Sequence, residues 1–139
     1  MGGTEADGSE LRPLRGGRML SEVTNGIVAM MHEHYGHGPI KAKSYVLDNM
    51  LVCVLSDGHT PIEKTMADAG EHHRIIDLRR DFQRYMESRY IELVEQLTGR
   101  RVLAFLSQVH LDPDVTIEMF VLDAPPAGFE PLHRAEHTE

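Results

Sequence analysis

Histidine is frequent enough in this chain, nine times in 139 residues, to raise the question of metal ligation, and His32-Glu33-His34 with His37 is the densest group. On a helix, His32 and His34 point about 200° apart around the axis, so they cannot share one ion. Between His34 and His37 stands Gly36, which reads as a helix terminus. His72 and His73 open a later helix, where the dipole disfavours a cation, and His133 and His137 fall in a polar tail. The single cysteine, Cys53, sits inside an apolar run and reads as a buried, inert thiol. No metal site and no cofactor are expected from this set. Nucleophilic chemistry has no better footing, because no Gly-x-Ser-x-Gly elbow occurs. Gly36-His37-Gly38-Pro39 lacks the third glycine of a phosphate cradle and precedes a strand rather than a helix. No catalytic residue is therefore assigned, and a non-enzymatic protein is the expectation. What remains are groups suited to holding a ligand or a partner: Tyr35, His37, Arg79, Arg80 and Arg84. The arginines bring planar forks that match carboxylate or phosphate.

The elements that must position these groups are marked by turns and caps. Leu20, Val23, Ile27, Met30 and Met31 recur at three- and four-residue steps and predict a helix over 20–35. Gly36 is placed to end it in the left-handed region, Pro39 prevents its resumption, and Gly38 permits a backbone path that a side chain would obstruct. Two apolar runs, 40–47 and 50–55, flank Asp48-Asn49 and predict a hairpin; the second is apolar throughout and should lie centrally. Thr60-Pro61-Ile62-Glu63 is a capping box with proline at the first helical position, so a short helix starts there. A long helix over 72–98 follows, with Ile75, Leu78, Phe82, Met86, Tyr90, Leu93 or Val94, and Leu97 as its buried stripe and Gly99 as its stop. Segments 101–110 and 115–122 predict a second hairpin. In the last strand Val115, Ile117, Met119 and Val121 alternate with Thr116 and Glu118 as the apolar set. The order α-β-β-α-α-β-β predicts an α+β two-layer sandwich, a four-stranded mainly antiparallel sheet packed by a long helix.

Composition narrows the function classes. The chain is 41% hydrophobic and 26% charged, with a net charge of −8, as expected of one soluble domain. Residues 1–18 and 123–139 read as a disordered leader and a disordered acidic tail around a folded 19–122. That folded part holds ten Lys and Arg against fifteen Asp and Glu, which repels phosphate backbones, so nucleic-acid binding is not expected. The arginines of the long helix are interleaved with acids and predict a salt-bridged solvent face. The longest apolar run, Met50 to Leu55, is far short of the roughly 20 residues that cross a membrane, so no membrane insertion is expected. A cytoplasmic location follows from these readings taken together.

A helix ending Tyr35-Gly36-His37-Gly38-Pro39, a hairpin, Leu55 with Thr60 and Glu63, Arg79 or Arg80 on a long helix, Thr98-Gly99 and a final strand over 115–122 together resemble the MpsC-like family. That bacterial family is named after a component of a cation-translocating system that generates membrane potential. Two departures stand out: His37 replaces the more usual Arg or Lys, and Asp57-Gly58-His59 lengthens the loop before Thr60. The resemblance brings no catalytic residues. It implies an accessory or interaction protein linked to a membrane cation or inorganic-carbon transport system, with a transport protein as partner. A small-ligand sensor or enzyme, with its site near the Gly36–Pro39 loop and the arginine-bearing helix, stands as the alternative. A homodimer is also expected. A 27-residue helix spans about 40 Å and should overhang its sheet, exposing apolar turns that a second copy would cover through the helix or a sheet edge.

Overall fold

A computed structural model describes residues 14–37, 41–56, 58–129 and 135–139. Seven elements follow in the expected order: α1 (Gly16–Tyr35), β1 (Lys41–Leu47), β2 (Met50–Ser56), α2 (Pro61–Asp68), α3 (His72–Thr98), β3 (Val102–His110) and β4 (Val115–Leu122). All strand pairs are antiparallel, and the sheet order is β1-β2-β4-β3. Each hairpin thus contributes one central strand, and the two hairpins join along β2 and β4. The architecture is the α+β sandwich expected, with the helices on one face of the sheet.

Helix ends fall where the local chemistry puts them. Gly36 closes α1 at φ 83°, and Gly99 closes α3 at φ 70° while its N–H bonds the Glu95 carbonyl at 2.9 Å. At Thr60 the capping box is complete: Thr60 Oγ1 accepts from the Glu63 N–H at 3.1 Å, and Glu63 Oε1 accepts from the Thr60 N–H at 3.0 Å. Helix α1 opens at Gly16 rather than near Leu20. The chain beyond β4 returns to it, with the Gly16 N–H bonding the Ala127 carbonyl at 3.0 Å and Phe129 packed on the core. The Leu14 N–H adds a bond to the Leu97 carbonyl at 2.8 Å. Gly38 and Pro39 lie outside the described residues.

The core fills the space between α1, α3 and the sheet. Met19, Val23 and Ile27 meet Met86, Tyr90 and Val94 over Leu51, Cys53, Phe120 and Leu122. The two helices cross closely at Gly26, where a Cβ would stand 2.6 Å from a Leu93 methyl. The end turns of α3 are covered except at Leu78, which is 42% exposed. Ile75 at one end and Val94 at the other are fully buried, and α2 packs beside α3.

Two burial assignments differ from the sequence reading. In β4 the buried set is Thr116, Glu118, Phe120 and Leu122, whereas Val115, Ile117, Met119 and Val121 lie on the other face and are only half-covered. Phe120 and Leu122 decide the register, since a strand must turn one complete alternation inward. In α3, Leu78 is 42% exposed and Arg79 takes its place in the stripe. The reason is electrostatic and lies in the site that Arg79 builds.

Candidate functional site

Arg79 is held between two carboxylates. Its Nε and Nη2 each donate to Glu63 at 2.9 Å, and its Nη1 donates to Asp114 Oδ1 at 2.6 Å. The fork geometry of guanidinium permits this double engagement, which lysine could not reproduce. Glu63 is 0% exposed and accepts four bonds: from both Arg79 nitrogens, from the Thr60 N–H and from the Tyr35 hydroxyl. Asp114 accepts in addition from the Gly58 N–H at 3.1 Å and lies 3.1 Å from His59 Nδ1.

Five parts of the fold therefore meet at one guanidinium. Tyr35 comes from the last turn of α1, Glu63 from the first turn of α2, and Arg79 from the buried stripe of α3. Asp114 sits at the β3–β4 turn, and Gly58 and His59 come from the loop before α2. The same glutamate thus caps its helix and anchors it. Tyr35 is steadied further by Phe82, ring centroids 4.7 Å apart.

The electrostatics lock these groups in one protonation state. Burial alone would raise the carboxyls, but the Arg79 hydrogen bonds and charge outweigh it and hold Glu63 and Asp114 below the usual carboxylate range. Burial would lower Arg79, and the two carboxylates raise it instead. Tyr35 is pushed up by burial and by the Glu63 carboxylate beside it. None of these four is poised to exchange a proton near neutrality.

A second buried carboxyl lies deeper. Glu118 of β4 is 1% exposed, accepts from the Ser107 hydroxyl of β3, and is pushed up to about 7 by burial. The Tyr90 hydroxyl is also buried and has no hydrogen-bond partner among the described residues. Between the two carboxyl sites a cavity of about 30 Å³ is lined by Tyr35, Arg79, Gln83, Asp114, Thr116 and Glu118. That is room for about one water molecule and not for a metabolite. Among the described residues no group of three His, Cys, Asp or Glu is placed to hold a metal ion.

A family model described as "Na+-translocating membrane potential-generating system (MpsC)" matches residues 16–124. The chain belongs to the MpsC family. No curated protein and no solved structure matches it. In this MpsC-family chain the match runs from the first residue of α1 to just past β4, so the Arg79 site lies wholly within it. Among the described residues no helix is long and apolar enough to cross a membrane.

Of the five candidate contact residues, the structure brings Tyr35 and Arg79 together, through Glu63. Arg80 and Arg84 are exposed where α3 runs beside β3, lining with Gln83, Glu87 and Gln108 a surface depression of about 270 Å³ apart from the Arg79 ion pairs, and Arg84 pairs with Asp81 in an exposed i,i+3 contact. His37 is half-buried with its ring 6.5 Å from that of His32, apart from the Arg79 site. Sequence reasoning assigned no role to Asp114, which falls between the strands predicted over 101–110 and 115–122, or to His59, which it read as loop lengthening. It also placed Glu118 on the wrong face. A signal for Glu118 was present, two and four residues before Phe120 and Leu122 on the same alternation.

Proposed function

We propose that this MpsC-family chain is a non-enzymatic accessory protein of a membrane cation or inorganic-carbon transport system. On this reading it works from the cytoplasmic side, as a homodimer, by contact with a transport protein. The observation that supports it is the saturation of the Arg79 site. Its guanidinium, carboxylates and phenol are bonded to one another around a cavity of about 30 Å³, so they act as a fastening between elements rather than as a reaction centre. A small-ligand sensor at the same place is the weaker reading, because binding would require breaking that fastening. The family description supports the link with ion translocation.

The test is genetic and physiological. Cells lacking the gene should lose sodium-dependent membrane potential or bicarbonate uptake, and the parent gene should restore it. Unchanged potential and unchanged uptake of both ions in the deleted strain would refute the assignment. The mass of the purified chain, read by light scattering at micromolar concentration, tests the homodimer separately.

A further inference from the structure

The helices cover one face of the sheet, and among the described residues the opposite face is open. Strand pairing places its residues in four rows across β1-β2-β4-β3. One end row is Lys41, Ser56, Val115 and His110; the next is Lys43, Val54, Ile117 and Gln108. Then come Tyr45, Val52, Met119 and Leu106, and finally Leu47, Met50, Val121 and Ala104. Two of these rows are apolar throughout. Tyr45, Leu47 and Leu106 are 47%, 41% and 51% exposed, and Leu103 beside them is 57% exposed. No described element packs over this face.

We propose that this open sheet face is the contact between two copies of the chain. The inference rests on the homodimer in the functional reading above and assigns it a surface. Area is the first argument. Strands about 4.8 Å apart with side chains every ~6.8 Å give each position about 33 Å², so sixteen positions cover about 500 Å² per copy. Two copies bury about 1,000 Å², which reaches the lower bound for a specific interface.

Charge is the second argument, and it selects the occupant. The chain is strongly acidic at −8, yet none of these sixteen positions is Asp or Glu. Face-to-face pairing therefore sets no carboxylate of one copy against a carboxylate of the other at these positions. An anionic lipid surface would meet only Lys41 and Lys43 against that net charge, and is the poorer fit. The face can also meet itself without like-charge contact. Rotation about a twofold axis lying across the strands sets the Lys41–Lys43 end of one β1 over the Tyr45–Leu47 end of the other. No cation then opposes a cation, and packed sheets accommodate this alignment within about 30°.

The edges are less suited. β1 presents Lys41 and Lys43, and the β3 pairing is interrupted by a register shift between Val102 and Ala104, both devices that discourage edge-to-edge pairing. The long helix buries its own apolar stripe, so neither contact suggested by helix length is the favoured one.

The test measures the mass of the full chain by light scattering or sedimentation, with circular dichroism as the folding check. The parent should run at twice 15.7 kDa at micromolar concentration. Leu106→Glu and Tyr45→Glu, made separately at exposed positions, should each give a folded monomer. Tyr85→Glu on the outer side of α3, 77% exposed, should leave the dimer intact. A dimer that survives both sheet variants overturns the assignment of this face alone. A dimer broken only by Tyr85→Glu moves the contact to the helix and also overturns it. A monomeric parent overturns both the face and the homodimer, whatever other protein the face meets.

Discussion

Replacing Arg79 by methionine should be among the most damaging single changes available to this chain. Methionine fills similar space and keeps the helix, so the loss is electrostatic. It strips the cation from Glu63, which is 0% exposed, and from Asp114, which is 9% exposed. Removing one partner of a buried ion pair costs about 3–5 kcal/mol, because the other charge is left uncompensated. For a domain of this size that corresponds to a fall of roughly 10 °C or more in Tm. The pH dependence identifies the cause. In the parent both carboxyls lie below their unfolded values, so their stabilisation is present above the ordinary carboxylate range and is lost as pH falls through the folded values. In the variant, burial without Arg79 raises both carboxyls, and acid relieves the penalty by protonating them. Urea unfolding of parent and variant should therefore differ most at neutral pH and converge towards about pH 4. Arg79→Lys should fall between, keeping the charge without the fork. A loss below about 1 kcal/mol at neutral pH, or a difference independent of pH, would refute the reasoning.

Three further outcomes are expected. Glu118→Gln should stabilise the protein above neutral pH by up to a few kcal/mol. The Glu118 carboxyl is raised to about 7 in the fold, so the parent loses stability as pH rises from the unfolded value through that point; parallel pH–stability curves for the two proteins would contradict this. Gly36→Ala should cost about 1 kcal/mol or more by denaturant midpoint. A Cβ there meets nothing within 4 Å, so the cost comes from φ 83° alone, and an unchanged midpoint would show that the turn relaxes freely. Thr60→Ala should cost about 0.5–2 kcal/mol by removing the cap of α2, a loss that overlaid unfolding curves would exclude.

Local chemistry made much of the fold legible before any coordinates. Thr60 and Glu63 are three residues apart, so their reciprocal bonds are written within one turn, and Gly36 and Gly99 mark their helix ends without help from elsewhere. The Arg79 site was legible only in pieces. Tyr35 and Glu63 are 28 residues apart, and Arg79 and Asp114 are 35 apart, so nothing local tells an arginine in a charged helix that two carboxylates await it. The same blindness explains Leu78: periodicity gave the stripe to the more apolar neighbour, and the ion pairs rotated it by one residue. β4 deceived for a different reason. Both of its alternations are rich in apolar groups, and the wholly apolar one faces outward, over the open side of the sheet.

The sheet order has a consequence for how the chain reaches this state. β1 with β2, and β3 with β4, are neighbours along the chain, and each pair can form by closing a loop of a few residues. The seam between β2 and β4 pairs Met50 with Val121 and Ser56 with Val115, so it closes only after the whole intervening stretch of α2 and α3 has been brought round. Closing such a long loop costs entropy before any contact repays it. The seam should form late, and α3, packed on β3 and on α1, is the element that carries the second hairpin to the first. Substitutions along β2 and β4 would then act mainly on the unfolding rate, whereas changes at the α1–α3 crossing beside Gly26 would slow refolding.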